Sequence, residues 1–395
     1  MNMLNIDTLK GPYTNEQVLV ILLTRLYFGT QKIDDIRDFL DNEIVDWNVF
    51  YKLISVNDIR GFICEVITIS QITIDQETHD RLKKDAMGIT LVAANLAGLK
   101  NHLMIEFEKL GIKAVPYKGA TLATRYYKSP LLRESSDLDF LVNRDEVPQL
   151  MKCLYENGYR SKFNISAHQM GFVMRFHREL SFQSPKNRMG ISCGVELQWR
   201  LLENFFRQFH QHDFFVEYLQ SYTAIDGSSH IGLAPTYDFL AVASHHLIRE
   251  PLLKFKYLID LACMVQTSSS QLDWEEINLQ FKLHNFSGLL NSGMNALAEI
   301  VGLQLPVLNT VSPAYHLFSA TEIKTGRNVY FRKIKLVNLK QSFLEKIKLS
   351  LKAHLSLLIP NLNDLSMTKA PAWTIPLIIP VKSLRFLYLY LTKRP

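Results

Sequence analysis

Cysteine is scarce in this chain, with four in 395 residues: Cys64, Cys153, Cys193 and Cys263. They lie 89, 40 and 70 residues apart and form no CxxC pair. A zinc site or a disulfide framework therefore lacks its ligands, and buried free thiols in a reducing compartment are expected. Also missing is an apolar run free of charge and long enough (about 20 residues) to span a bilayer. The most apolar stretch, 373–391, is broken by Pro376, Pro380, Lys382 and Arg385. Asp7 and Glu16 interrupt any basic-then-apolar leader, so a cytoplasmic protein is expected. The chain has no H-E-x-x-H pair and no G-x-x-x-x-G-K-[ST] loop, and no hydrolase elbow is expected.

What is present begins with an ordinary globular composition, 47% hydrophobic and 21% charged, which argues against wholesale disorder. The net charge of +6 is unevenly placed. Nine Lys or Arg stand against the single acid Glu345 between Lys324 and Lys352, so the rest of the chain is slightly acidic. Ile334, Leu336, Leu339, Phe343, Ile347 and Leu351 interleave with those cations. The segment is thus either an amphipathic helix for weak contact with an anionic surface, as in a peripheral membrane or assembly protein, or a packed helix with a solvated basic face.

The length calls for two or three domains or subdomains. The first hundred residues read as helical. Thr14 with Gln17 caps a helix carrying Val18, Leu19, Ile21, Leu22 and Leu26, and Asp46 caps another with Val49, Phe50 and Leu53. A long helix from about Gln76 to Leu110 ends at Gly111. The period then changes. Ile112–Pro116 and Leu138–Val142 read as strands around a helical Ala120–Tyr127, and Asn143 with Glu146 caps a helix that Gly158 ends. Phe172–Phe182 and Ile191–Leu201 read as an antiparallel pair across a Ser184–Gly190 turn. Helices return from Pro235 to Ile248, from Pro251 to Val265, after the Asp273/Glu276 cap and over Ser287–Gly302, with Ser268–Ser270 as a connector. The expected fold class is α+β: a helical N-terminal region (1–110), a mixed-sheet core with helices (111–202), a helical domain (203–320) and a basic helical C-terminal region (321–395).

Within that core, Asp137-Leu138-Asp139 is the pattern with chemistry. Chance alone would supply roughly three or four acid-x-acid pairs in such a chain, so context has to raise this one. On a strand, residues two apart share a face. Leu138, Phe140 and Val142 would face the core while both carboxylates converge opposite, where a cation relieves their repulsion. Upstream, Tyr117-Lys118-Gly119-Ala120 is a turn between strand and helix. Gly119 would let the backbone approach a phosphate, with Lys118 adding charge beside it. Glu196, Gln198 and Arg200 alternate with Val195, Leu197 and Trp199, so Glu196 points where a third ligand is needed. A surface pair with Arg200 is the alternative. Arg133, in the loop before Asp137, suits a triphosphate. Asp260, on an amphipathic helix, is a candidate for orienting a site residue, against a solvated or ion-paired position. His245 is a weaker candidate for catalysis, against a histidine that packs or hydrogen-bonds.

Tyr117-Lys118-Gly119, Tyr126-Tyr127, Arg133 and Asp137-Leu-Asp139-Phe-Leu-Val together resemble the signature of the uncharacterised nucleotidyltransferase family of the DNA polymerase β-like superfamily. Val195–Leu201 resembles its acid-Leu-His-Trp-Arg-Leu strand. His245 and Lys256–Ala262 resemble its downstream helical pair, and Asp46-Trp47 and Ile359-Pro360 to Leu391 its helical ends. The resemblance implies a polymerase β-like core with Asp137, Asp139 and Glu196 as metal ligands and catalytic acids. Two Mg²⁺ ions are implied, or Mn²⁺, roughly 3.5–4 Å apart. Lys118, Gly119 and Arg133 would bind an NTP, whose NMP group passes to an acceptor: a small molecule, sugar, peptide or RNA. Lys118-Gly119 stands where the superfamily carries Gly-Ser, and Gln198 where the family carries histidine. Those two departures motivate the alternative of a catalytically silent nucleotide-binding or regulatory module.

Overall fold

A computed structural model describes residues 3–202, 218–224, 227–305, 317–319, 343–368, 372–374 and 380. Six helices come first: α1 (Ile6–Lys10), α2 (Asn15–Phe28), α3 (Ile33–Asn42), α4 (Trp47–Val56), α5 (Arg60–Ser70) and α6 (Gln76–Lys109). The expected caps hold, with Thr14 and Gln17 forming a capping box and Asp46 Oδ1 accepting from Asn48 N and Val49 N. Helix α6 runs 34 residues and stops where Gly111 turns to a φ of 70°.

The central sheet has five strands in the order β1-β2-β5-β4-β3. These are β1 (Val115–Tyr117), β2 (Asp137–Leu141), β3 (Arg160–Ser161), β4 (Glu179–Gln183) and β5 (Gly194–Gln198). It is mixed, because β2 and β5 run parallel and the β1–β2, β3–β4 and β4–β5 pairs antiparallel. A parallel pair needs a crossover. Here it passes through α8 (Val147–Glu156), β3, α9 (Ala167–Phe176) and β4. Leu138, Phe140, Leu180, Phe182, Val195 and Leu197 bury one sheet face against Leu96, Leu103 and Phe107 of α6 and Leu150 and Leu154 of α8. The alternation of period two therefore sends Asp137, Asp139, Glu179, Ser181, Glu196 and Gln198 to the other face.

A second core joins the N-terminal helices to those that follow the sheet. The latter are α10 (Pro235–Ala243), α11 (Phe255–Ser268), α12 (Trp274–Leu283) and α13 (Ser287–Ala296). Arg25, fully buried on α2, clamps the two groups by donating to the Ile300 and Glu299 carbonyls at 2.6 and 2.9 Å. The short helix α7 (Gly119–Tyr126) belongs to this core through Leu122 and Tyr126.

Several expectations need correction. The first half of the expected strand Phe172–Phe182 is helix α9, because Gln169 Oε1 accepts from Ser166 N and Val173 and Met174 bury one helical face. Asn143 caps a 3₁₀ turn, Arg144–Glu146, rather than α8 itself. The helix expected from Pro251 begins at Phe255, and a hairpin not foreseen in the sequence, β6 (Leu219–Thr223) with β7 (Ser229–Leu233), precedes Pro235. Of the basic segment, 324–342 lies outside the described residues, as does most of the expected C-terminal helical end. Its remainder opens α14 (Phe343–Leu358), which is followed by α15 (Leu362–Thr368). Phe343, Ile347 and Leu351 on α14 are exposed, while Leu349 packs against the second core. No described helix is long and apolar enough to cross a membrane.

Candidate active site

The parallel register sets Asp139 of β2 directly beside Glu196 of β5, and Asp137 beside Gly194. Gly194 is needed there, since a Cβ would come within 3.1 Å of the Asp137 Cβ. The outcome is a cluster in which Asp137, Asp139 and Glu196 each offer an oxygen, all within 4.8 Å of one another. Burial, then the neighbouring Glu179 and Asp139 carboxylates, push the Glu196 carboxyl up to about 8. Burial and Asp139 raise Asp137 as well. A hard, all-oxygen donor set whose members resist ionising together suits a divalent cation such as Mg²⁺. The residues fit the metal that the resemblance implies.

Gln198, fully buried, organises two of the three. Its Nε2 donates to Asp139 Oδ1 and to Glu196 Oε2, both at 2.7 Å. Its Oε1 accepts from Tyr117 OH and from Arg178 Nη1. Donor and acceptor ends of the amide are thus both matched. Ser181 Oγ donates to the other Glu196 oxygen at 3.3 Å. The departure at Gln198 is therefore a bracket for the carboxylates rather than a gap.

The Lys118-Gly119 turn reaches the same point from β1. Both residues take positive φ, 44° and 50°, which is costly for the lysine. The conformation places Lys118 Nζ 2.8 Å from Asp139 Oδ1, in a nearly buried ion pair. Burial works to lower the lysine's pKa, but Asp139 outweighs it and the group is held charged. Gly119 lies against the loop before β2: a Cβ there would stand 3.2 Å from Ser135 Oγ and 3.6 Å from Asp139 Oδ2.

These groups line a cleft of about 270 Å³, whose far wall is basic and comes from the segment 245–257. Lys254 and Lys256 both pair with Asp58, the latter at 2.7 Å. Arg249 pairs with Glu179 at 3.5 Å. Arg178 and Arg249 hold the Glu179 carboxyl down at about 2, against its burial. Arg133 lines the cleft too, but its Nε and Nη2 form a bidentate pair with Asp260 at 2.7 and 2.9 Å. Asp260, fully buried, also accepts from Tyr127 OH at 2.5 Å and faces His246 Nε2 at 2.8 Å.

Residues 43–302 match the family described as uncharacterised nucleotidyltransferase. The chain belongs to that family. No curated protein matches it. The matched region takes in every site residue named above, from Asp58 on the α4–α5 loop to Asp260 on α11.

Sequence reading brought together Asp137, Asp139, Glu196, Lys118 and Gly119, and the structure places all five at one point. Arg133 stands at the cleft with its fork committed to Asp260. Not given a site role were Lys254, Lys256, Arg249 and Asp58, which are unremarkable charges until the α4–α5 loop meets the start of α11. The Pro251 signal drew attention to a helix start instead of to its cations. Also passed over was Gly190-Ile-Ser192-Cys-Gly194, which has G-x-S-x-G spacing. It leads into a strand and not a helix, and Ser192 Oγ donates to the Ser184 carbonyl at 2.6 Å, so it is no nucleophile elbow.

Proposed function

We propose that the protein transfers a nucleotidyl group from a nucleoside triphosphate to an acceptor, on a polymerase β-like core, with Asp137, Asp139 and Glu196 as ligands of two magnesium ions. The observation that carries this reading is the meeting of the three carboxylates, from two parallel strands, across a cleft from a wall of cations. The metal, once bound, supplies Lewis-acid polarisation of the α-phosphate and charge for the departing pyrophosphate. The protein's own groups do the positioning. Gln198 fixes one oxygen each of Asp139 and Glu196. The first turn of α7 offers backbone N–H groups and the positive end of its dipole to a phosphate, and Gly119 keeps that approach open. Lys118, Lys254, Lys256 and the anchored Arg133 hold the triphosphate by charge, which lowers the barrier as negative charge moves to the leaving group.

The test begins with calorimetric titration of ATP, CTP, GTP and UTP, each with and without Mg²⁺. Cell lysate is then incubated with the protein and α-labelled nucleotide while pyrophosphate release is followed. Asp139→Asn is expected to cut transfer by several orders of magnitude with the fold retained. Transfer at the wild-type rate by that variant would refute the ligand assignment.

A second reading is a nucleotide-binding module without turnover. It is favoured by one contact, Lys118 Nζ on Asp139 Oδ1, which already sets a cation on a ligand oxygen. Nucleotide binding independent of Mg²⁺, with no pyrophosphate released, is the outcome that selects it.

A further inference from the structure

His245 lines the cleft and has no part in holding metal or triphosphate as described above. It sits on a π-helical turn, Ser244–Arg249, that continues α10, and such turns concentrate at functional sites. Its Nδ1 lies 2.9 Å from the Nδ1 of His246. His246 Nε2 lies 2.8 Å from Asp260 Oδ2. Protons along this row can be assigned from its buried end. Arg133 and His246 hold the Asp260 carboxyl well below the usual range despite burial, so Asp260 is ionised and can only accept. His246 Nε2 must then carry a hydrogen. Burial lowers the His246 pKa against the pull of Asp260, so its ring is neutral and its Nδ1 is a bare lone pair. The single proton between the two facing nitrogens therefore belongs to His245 Nδ1. Burial, Lys118 and Arg249 keep His245 neutral as well, which leaves its Nε2 bare. That is the ring edge turned away from His246. Among the described residues the nearest acid to it, Glu250, is 4.0 Å off, beyond hydrogen-bond reach.

We propose that His245 Nε2 takes the proton of the acceptor, and that His246 and Asp260 are positioning residues that hold it in the one tautomer able to do so. The proposal rests on the nucleotidyl-transfer reading and deepens it. Glu196 is poorly placed for the same task, since its two oxygens already accept from Gln198 and Ser181 and serve the metal. In the step, the acceptor's O–H bond breaks and its proton joins Nε2. The freed electron pair forms the bond to the α-phosphorus. The bond from that phosphorus to the bridging oxygen of the β-phosphate breaks, and its electron pair leaves with pyrophosphate. The resulting imidazolium faces the negative end of the row at Asp260. A built-in base also names the acceptor's class. Carboxylates and phosphates are already deprotonated near neutral pH and need no base, so the acceptor is a group that still carries its proton there, and the step above is written for a hydroxyl.

The tautomers are read by long-range ¹H–¹⁵N correlation on the full-length protein labelled in histidine, with assignments from His245→Gln and His246→Gln. Hydrogen on His245 Nδ1 and a bare Nε2 is the expected result; the reverse tautomer overturns the proposal whatever the activity. Transfer to lysate hydroxyl compounds is then compared for wild type and His245→Gln. A fall of roughly 10²–10⁴-fold with unchanged NTP affinity is expected. A His245→Gln protein as fast as wild type removes the base and leaves nucleotidyl transfer standing. A wild-type protein that yields no product removes the transfer reading and the base with it.

Discussion

At Gly119 the main chain passes close to Asp139, and the demands on the residue are both steric and conformational. Its φ of 50° belongs to a region that a side chain resists by about 1–2 kcal/mol, and the space beside it is taken by Ser135 and the β2 backbone. Gly119→Ala is therefore expected to destabilise the fold by at least that amount. It should also weaken NTP binding, because relief of the clash moves the turn away from Asp139. Chemical denaturation and calorimetry on the same preparation check both; unchanged affinity would mean that the turn does not touch phosphate. At this scale the sequence was legible for residues whose role is set by near neighbours. Asp137 and Asp139 share a face because strands have period two, and Gly119 marks a turn because few residues tolerate it. Gln198 was not legible. Its four contacts come from Tyr117, Asp139, Arg178 and Glu196, up to 81 positions away, and a substitution in a motif does not reveal what the new side chain grips.

Among the elements, the π-helical turn Ser244–Arg249 has the most consequence for the site, since it carries both histidines of the relay and Arg249. It packs against α13 at Gly293, where a Cβ would come within 2.6 Å of Leu247 Cδ2. Leu247 is fully buried, so it has little room to yield. Gly293→Ala is expected to cost about 1–3 kcal/mol by overpacking. The strain falls on the residue next to His246, so the variant should also disturb the relay. Thermal unfolding and the histidine ¹⁵N shifts report the two effects, and a variant with wild-type stability would show that the α13 contact is loose. The sequence announced the helix from Pro235, but not its change of pitch: hydrophobic period cannot resolve one inserted residue per turn. The error at Phe172–Phe182 has a related cause. An aromatic-rich run satisfies strand and helix templates alike, and here the hydrogen bond from Ser166 N to Gln169 decided for helix in its first half.

Taken whole, the molecule concentrates buried ionisable groups around the cleft, and this makes its stability depend on pH in a definite direction. His245 and His246 have pKa values below that of an unfolded histidine, about 6.5. The unfolded chain thus binds protons that the folded one refuses, and stability is lost as pH falls below about 6.5. Each contributes up to about 1.4 kcal/mol per pH unit. Glu196, pushed up to about 8, acts with the opposite sign between its unfolded value and 8, and offsets one histidine. With two histidines set against one carboxyl, the net expectation is a loss of stability and a lower Tm from pH 6.5 downward, which Asp137 and Asp238, both raised by burial, oppose further down. Below about pH 4.5 the loss steepens, as Glu179 and Asp260, both held down in the folded state, begin to protonate in the unfolded one. Melting curves of metal-free protein at pH 7.5, 6.5 and 5.5 test this, and a Tm that rises toward pH 5.5 would contradict it.

What the sequence determined by itself was local: the strand alternation that aims Asp137, Asp139 and Glu196 the same way, the Lys-Gly turn, and the caps that start the helices. These depend on backbone geometry over a few residues. Tertiary structure alone decided that β5 lies parallel to β2 in the register that sets Glu196 beside Asp139. It alone brought Asp58 to Lys254 and Lys256, committed Arg133 to Asp260 and set His245 in the cleft wall with His246 behind it. Each of those outcomes joins segments 57 to 198 residues apart or turns on the pitch of one helix, and periodicity carries no information about either.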